Sequence, residues 1–438
     1  MIRNLHSSIK AVNLKLYRTL LLISLIPAVY TSLRIYFIGQ LPNEWAYSIA
    51  GQLTWISLIY EILNESIILP LFYLISKPYE NKTNRSDKIC TGLIFTTSLY
   101  LIMALFICCS AESLLYAMAA DKTIIEVSSN YIRIESIANI FAMLVQYLLV
   151  VFIVYEQRST MYILLILRLC LSFVFDTFLI SSASFSLNLG VYGIGYSNIL
   201  INLCLLLISM YFISKHCIVS FNSIHLDFKW LKELFKIGGI SGLESLIRNL
   251  AYIVMISRMV NLVGEQGTYW VANSFIWTWL LLPVIQLGEL IKKEVSADYR
   301  CIFRNTPAYL FMTGLICLIW VLSIPFWKSF MSNFLGISNV EKVFYLVLIL
   351  MISYVFYAFQ NIFDSIFYAL GKTEYMLFES IVTNTFYYGA AFFLYYAGFW
   401  VPTLTGITVL FSLGNIFDSL ISIFAYRYFL HKQKTHRI

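Results

Sequence analysis

The chain has 438 residues, of which 60% are hydrophobic and only 12% charged, and its mean hydropathy is +0.78. A soluble domain carries about 25% charged residues, so this composition excludes a soluble globular protein and predicts a polytopic membrane protein. The net charge of +7 needs no nucleic-acid partner, because a basic cytoplasmic face against anionic membrane lipid accounts for it.

Apolar runs long enough to cross a bilayer recur along the whole chain. About 20 helical residues cross the roughly 30 Å of hydrocarbon, and the runs are too long and too uniformly apolar for barrel strands. The predicted fold is therefore all-α. Twelve spans are predicted, at 16–38, 46–76, 89–109, 131–155, 160–182, 189–214, 236–257, 268–291, 306–326, 343–370, 374–399 and 402–430.

The basic residues predict the orientation of these spans. With the N-terminus in the cytoplasm, 22 of the 30 Lys and Arg fall in cytoplasmic segments and four in external ones. This asymmetry follows the positive-inside rule and favours an even number of spans. We expect a monomeric, multi-pass protein of the inner cell membrane with both termini in the cytoplasm. The eight cysteines lack metal-ligand spacing, so neither a metal nor another cofactor is expected.

An internal repeat divides the spans into two sets of six. Residues 138–164 align with 352–378 without a gap, at an offset of 214, and Gln146 falls on Gln360. The longest cytoplasmic linker, 215–236, separates spans six and seven. We expect an N-terminal lobe at 1–214 and a pseudo-symmetric C-terminal lobe at 237–438. Transporters built from such repeats place the substrate path between the halves, near the midplane.

Charged side chains within the spans are the candidate functional residues. Each costs about 2.5–3.5 kcal/mol at the bilayer centre on insertion scales, so it normally faces a cavity or a partner. Glu61 and Glu65 lie four residues apart on one helical face. Arg34 and Asp176 lie deep in spans one and five, where we favour a function or an essential buried pair.

Other charged positions have simpler explanations. Glu244 and Arg248 also lie four residues apart, and a structural ion pair is favoured there. Asp418, beside Asn415, is equally consistent with a hydrogen bond to a neighbouring helix. Side chains near predicted span ends are able to snorkel to the interface; these are Arg133, Glu135, Glu289 and Glu379.

Several segments resemble the multidrug and toxic compound extrusion (MATE) transporters. SFVFDTFLI at 172–180, followed by LGVYGIGYSN at 189–198, is similar to the fifth and sixth spans of that family. Fragments elsewhere agree in order and separation: SLRIYFIG at 32–39, YIRI at 131–134, GTYWVANSFIWTWLLLP at 267–283 and ALGKTEYML at 369–377. The resemblance implies a two-lobed antiporter that exports amphipathic, often cationic molecules in exchange for Na⁺ or H⁺.

The resemblance also implies roles for single residues. Asp176 matches the cation-linked carboxylate of the fifth span, Ser172 stands where Asn is usual, and Asn198 falls near a polar ligand of the sixth span. Tyr30 matches a first-span Tyr, whereas Arg34 stands where many members have an Asp.

The second half departs further from the family pattern. Asn249 stands where another branch of the family has its seventh-span Glu, and Glu244 lies one and a half turns earlier. Asp364 is in the tenth span without a clean match to that branch's Asp.

These residues predict a secondary exporter that works by alternating access. Asp176, Glu61 and Glu65 are the candidates for proton-linked switching against Arg34, whose guanidinium would close the usual sodium site of the first lobe. Arg34 and Arg248 favour an anionic or zwitterionic substrate more than is usual for the family.

Two alternatives remain open. The first is a lipid-linked oligosaccharide flippase of the same superfamily, which uses more intramembrane Arg and Lys. The second, a membrane glycosyltransferase or ligase, would need a larger external loop with catalytic groups than 110–130 provides.

Overall fold

The computed structural model describes residues 2–41, 45–68, 70, 82–155, 157–216 and 228–435. This part of the chain is helical and contains no β-strand. Its α-helices are α1 (Ile2–Ala11), α2 (Leu14–Gly39), α3 (Ala46–Gly51), α4 (Leu53–Leu63), α5 (Lys82–Ala117), α6 (Ile125–Val154), α7 (Arg158–Leu179), α8 (Val191–Lys215), α9 (Leu231–Tyr252), α10 (Arg258–Leu262), α11 (Gln266–Phe275), α12 (Leu282–Ala297), α13 (Cys301–Arg304), α14 (Thr306–Asn333), α15 (Val340–Ala369), α16 (Thr373–Val382), α17 (Gly389–Tyr396) and α18 (Leu404–Thr435).

Short π-helical turns continue four of these helices into the next segment. Within the described residues they are Asn64–Ile68, Ile253–Ser257, Ile276–Leu280 and Thr383–Tyr388. A π turn shifts the side chains that follow it around the helix axis, and such turns are frequent at functional sites.

The helices agree with the predicted spans. In the described part of the chain nine helices are long and apolar enough to cross a bilayer, and α11 with α12, bent by 51°, makes a tenth. The second predicted span is helical up to Ile68, and the rest of it lies mostly outside the described residues. The eleventh is helical from Thr373 to Tyr396 but less apolar, because it carries Glu, Asn, Thr and Tyr side chains.

The chain divides into two compact units. Unit 1 comprises Met1–Gly39 and Leu250–Ile438, and unit 2 comprises Gln40–Asn249. This division differs from the predicted lobes, since the first long helix groups with the second half and most of α9 with the first. The lobes at 1–214 and 237–438 stay a prediction, and residues 217–227 of the predicted linker lie outside the described residues.

Direct hydrogen bonds explain why α2 belongs to unit 1. Tyr17 Oη donates to the carbonyl oxygen of Pro283 at 2.9 Å, and Trp279 Nε1 donates to Ser32 Oγ at 2.9 Å. Both bonds join α2 to the bent α11–α12 pair. Within a bilayer such bonds favour helix association, since the polar groups have few other partners there.

Small residues explain why α9 belongs to unit 2. Gly238 and Gly242 lie one turn apart and face Ser66 in the first π turn. Ser241 Oγ donates to the carbonyl oxygen of Glu65 at 2.9 Å, and thus satisfies a backbone group of that turn. Small residues spaced four apart let two membrane helices approach closely. This close approach places the charged residues of α9 opposite those of α4.

We expect Gly238→Ala to destabilise unit 2 by about 1–3 kcal/mol, as overpacking does in other tightly packed sites. A Cβ on Gly238 would lie 1.9 Å from the carbonyl oxygen of Ser66, so one helix must move. The neighbouring Gly239 is the matched control, because a Cβ there meets nothing within 4 Å. Gly239→Ala should be neutral or stabilising, since Ala favours helix by up to about 1 kcal/mol. Equal thermal stability of the two variants in detergent would contradict this packing.

Candidate functional site

Four charged side chains meet in unit 2; we name Glu61, Glu65, Glu244 and Arg248 the Arg248 cluster. The Arg248 guanidinium contacts one oxygen of each carboxylate. Its Nε donates to Glu244 Oε1 at 3.0 Å, and its Nη2 donates to Glu65 Oε1 at 3.1 Å. Its Nη1 lies 3.4 Å from Glu61 Oε1. One positive charge therefore holds three carboxylates.

Helical spacing and a backbone contact assemble this cluster. Glu244 and Arg248 lie one turn apart on α9, and Glu61 lies one turn before Glu65, which falls in the π turn. Asn249 Nδ2 donates to the carbonyl oxygen of Leu58 at 3.1 Å. This bond holds α9 to α4 about one turn before Glu61. The structure thus joins the two four-residue pairs that the sequence treated separately.

The cluster extends from the protein interior to an accessible surface. The side chains of Glu65 and Glu244 are 11% and 8% exposed, whereas those of Glu61 and Arg248 are 35% and 43% exposed. Within the described structure Glu65 Oε2 is buried and has no hydrogen-bond partner. A carboxylate oxygen in that position is costly when it is charged.

Charge counting defines what the cluster does chemically. With all groups ionised its net charge is two negative units, in helices that are otherwise apolar. Unbalanced charge is expensive at low dielectric, so uptake of a positive charge stabilises the cluster. A proton on the buried Oε2 of Glu65 would remove one negative charge and leave Oε1 to accept the bond from Arg248.

A second polar group surrounds Asp176. This residue is fully buried, and Ser197 Oγ donates to its Oδ1 at 2.5 Å. Asn198 Nδ2, one residue further along α8, donates to Glu135 Oε1 at 2.7 Å. Ser172 Oγ is also buried and has no hydrogen-bond partner within the described residues. The predicted residues Asp176, Ser172 and Asn198 therefore share one helix contact, between α6, α7 and α8.

We expect Ser197→Ala to cost about 1–3 kcal/mol, the penalty for a buried acceptor that loses one of its donors. Ser98→Ala is a suitable control, because Ser98 Oγ donates to the Ile94 carbonyl oxygen at an exposed helical position. Thermal unfolding in detergent measures both variants. A Ser197→Ala protein as stable as Ser98→Ala would show that Asp176 does not depend on this bond.

Arg34 lies 214 residues before Arg248, which is the offset of the predicted internal repeat. In unit 1 its guanidinium carbon lies 4.8 Å from the ring centroid of Tyr30, one turn before it. In both halves the arginine therefore contacts the residue four positions before it: Arg34 contacts Tyr30, and Arg248 contacts Glu244. Arg34 and Asp176 belong to different compact units, so their pairing stays a prediction.

A third group of polar residues lies in unit 1, around Asp418. Gln360 Nε2 donates to Asp418 Oδ2 and Thr383 Oγ1 donates to Asp418 Oδ1, each at 2.7 Å. One turn further, Ser422 Oγ donates to Asp364 Oδ1 at 3.1 Å. The predicted residue Asp364 thus lies beside this group, which joins α15, α18 and the last π turn.

The sequence interpretation missed two partners that the structure supplies. Ser197 directly precedes Asn198, but a serine in an apolar helix carries no signal of its own. Glu135 was assigned to a span end, whereas its side chain is buried at 4% exposure and accepts the bond from Asn198. The available signal was that Glu135 and Asn198 are both polar residues within predicted spans.

Sequence comparison alone finds no counterpart: no protein-family model matches, and a comparison with curated proteins gives no match. Solved structures do match. An inward-facing multidrug resistance MATE family transporter of the MOP superfamily gives a TM-score of 0.78 at 16% identity, over 93% of this chain and 95% of that one. An outward-facing form of such a transporter gives 0.70 at 16%, over 97% and 98%.

A mutant of the Vibrio cholerae MATE transporter VcmN gives a TM-score of 0.70 at 16% identity, over 98% of each chain. At this identity the likeness establishes the fold alone. The chain has the fold of the MATE transporters, which have twelve transmembrane helices, so the predicted all-α, twelve-helix architecture is confirmed. The resemblance of the sequence to the MATE transporters is thereby confirmed at the level of the fold.

Proposed function

We propose that the protein exports organic cations in exchange for protons, by alternating access, and that Glu65 carries the proton. The single observation that supports this most is the Arg248 cluster, in which one guanidinium meets three carboxylates. Solved MATE transporters with this fold include inward-facing and outward-facing forms, which is consistent with alternating access.

Each member of the cluster has a distinct role in this proposal. Glu65 binds the proton on its buried oxygen, and Arg248 supplies the counter-charge when that proton leaves. Glu61 is accessible enough to pass the proton between water and Glu65. Glu244 orients Arg248 from one turn earlier on the same helix. Protonation of Glu65 weakens the bond from Arg248 without breaking it, and deprotonation strengthens it again. The charge state of Glu65 therefore sets how strongly the first π turn is held to α9.

The position of Arg248 favours a proton over Na⁺. Its guanidinium already occupies the place where the three carboxylate oxygens converge, so a sodium ion would have to displace it. A proton adds to a single oxygen and leaves this geometry in place. Asp176, the other predicted carrier, is fully buried against Ser197 and is a weaker candidate for exchange with water.

The partners of the span arginines favour a cationic substrate over the anionic or zwitterionic substrate that Arg34 and Arg248 favoured more than is usual for the family. Arg248 faces three carboxylates and Arg133 faces Glu112 at 3.0 Å, while Arg168 donates to Asn202 at 3.0 Å. A lipid-pyrophosphate flippase needs guanidinium groups directed at phosphate. Arg133 and Arg248, which are held by carboxylates, serve that purpose poorly, so the flippase is the weaker alternative.

Transport of ethidium, a fluorescent organic cation, into or out of proteoliposomes tests this function. We expect a pH gradient to drive ethidium movement and a Na⁺ gradient at constant pH to leave it unchanged. Asp176→Asn, measured alongside, should retain pH-driven transport. Transport driven by Na⁺ alone would overturn the proton assignment, and loss of transport in Asp176→Asn with an intact fold would return the role to Asp176.

A further inference from the structure

A basic and aromatic segment lies at the start of α9 in unit 2; we name residues 228–236 the Trp230 segment. It contains a single acid, Glu233, and three basic residues. These are Lys229, Lys232 and Lys236. The part of α9 that is long and apolar enough to cross a bilayer begins directly afterwards, at Gly238. The Trp230 segment therefore lies where the membrane meets water.

Contacts with α5 fix the inner side of the Trp230 segment. Trp230 Nε1 donates to Thr91 Oγ1 at 2.9 Å, and a Cβ on Gly92 would lie only 3.2 Å from the Trp230 ring. One turn further along α5, Phe95 packs against Phe235, with their ring centroids 5.7 Å apart at 86°. Because this side is occupied, the direction of the outward side chains is set.

The outward face of α9 begins with two lysines and continues as an apolar strip. Residues three and four positions apart share a helix face, and five exposed residues follow one another at such steps. They are Lys232, Lys236, Gly239, Leu243 and Leu246. The two leucines are 47% and 42% exposed, as expected for side chains in contact with lipid. The lysines therefore lie at the headgroup end of a lipid-facing strip.

Charge and space on this face fit an anionic lipid. Within the described part of the chain neither Lys232 nor Lys236 has a carboxylate partner, so their positive charges are available. Basic side chains close to a membrane surface attract its anionic lipids. Between these lysines and the leucines lies Gly239, where an added Cβ would meet nothing within 4 Å. That open position leaves room for the part of a lipid that joins its phosphate to its acyl chains.

From this arrangement we infer that the Trp230 segment binds an anionic phospholipid. Lys232 and Lys236 hold its phosphate, and an acyl chain lies along Leu243 and Leu246. Phe235, which is 55% exposed, packs beside the lipid at the level where aromatic rings are common in membrane proteins. The site uses neither the transported molecule nor the proton, so it goes beyond the function proposed above. It places a lipid on the same helix that carries Glu244 and Arg248.

Native mass spectrometry of the purified protein, titrated with dioleoyl phosphatidylglycerol, tests this site through the affinity of the first bound lipid. We expect the double variant Lys232→Gln, Lys236→Gln to weaken that affinity by about 10- to 30-fold, since each basic residue near the lipid contributes about 5-fold. The double variant Lys232→Arg, Lys236→Arg keeps both charges and should bind as the wild type does. Zwitterionic dioleoyl phosphatidylcholine should bind weakly to all three proteins.

A matched control removes two other lysine charges. Lys292 and Lys328 are each paired with a glutamate, at 2.8 and 2.6 Å, so Lys292→Gln with Lys328→Gln should leave the lipid affinity unchanged. Equal losses in this control, or wild-type affinity in the folded Lys232→Gln, Lys236→Gln protein, would overturn the site.

Glycerol phosphate, which has the phosphate but no acyl chains, distinguishes a lipid from a free anion. It should not displace phosphatidylglycerol, because the site also uses the apolar strip of α9. Displacement by glycerol phosphate would overturn the assignment to a lipid. Glu65→Gln should bind phosphatidylglycerol as the wild type does, so a failure of proton coupling and a failure of this site are distinguishable.

Discussion

Glu65→Gln is expected to abolish ethidium transport driven by a pH gradient, to the level of empty liposomes. The amide has nearly the shape of the carboxylic acid and still meets Arg248, but it cannot release or take up a proton. The cluster then stays in the state that corresponds to protonated Glu65. The effect should be large because Glu65 provides the buried oxygen on which the proposed coupling depends.

Two comparisons make this result specific. Glu289→Gln changes another glutamate in a helix, but Glu289 is half-exposed and paired with Lys292 at 2.8 Å, so transport should be unaffected. Ethidium exchange at equal concentrations on both sides, which needs no net proton movement, should persist in Glu65→Gln. Undiminished pH-driven transport in Glu65→Gln would remove Glu65 from the mechanism.

Arg248→Leu is expected to lower the free energy of unfolding by about 3 kcal/mol. Removal of one partner from a buried ion pair leaves an uncompensated charge, which costs about 3–5 kcal/mol. The lower end of that range applies because Arg248 is itself 43% exposed while Glu65 and Glu244 are buried. Thermal unfolding in detergent, with denaturant titration where it is reversible, measures the loss.

A double-mutant cycle tests the cause of that loss. In a Glu65→Gln background Arg248→Leu should cost clearly less, because one of the stranded charges has already been removed. Lys372→Ala, which breaks an exposed pair with Glu374 at 3.4 Å, should cost about 0–1 kcal/mol. If Arg248→Leu were as mild as Lys372→Ala, the three carboxylates would not depend on Arg248 for their charge balance.

The helical architecture was largely predictable because apolar length is summed over many residues. Single substitutions hardly alter a run of 20 apolar residues, so the helices of the described residues agree with the predicted spans. The sequence analysis did not pair Arg34 with Arg248, although they lie 214 residues apart, the offset of the predicted repeat. The correspondence becomes visible only when each arginine is seen against its partner one turn earlier.

The grouping of helices into compact units was beyond sequence reasoning. The repeat indicates which helices are equivalent, but packing between them depends on single contacts such as Gly238 against Ser66 or Trp279 against Ser32. Neither contact can be recognised from the hydropathy of the sequence. A glycine pattern in α9 was present in the sequence, yet it does not reveal which helix lies opposite.

The candidate site was half predictable for the same reason. Spacing of four residues identified Glu61 with Glu65, and Glu244 with Arg248, as neighbours on their own helices. The sequence did not show that both pairs meet at one guanidinium, since that depends on the approach of α9 to α4. It therefore favoured a simple ion pair for Arg248, where the structure shows an excess of carboxylates.

The proton on Glu65 is best tested by infrared difference spectroscopy of the purified protein, which records the carbonyl stretch of a protonated carboxylic acid as pH is varied. The account predicts one such band from a buried acid in the wild type, present at lower pH and lost as pH rises, and absent from Glu65→Gln. The same band with the same pH dependence in Glu65→Gln would contradict the account.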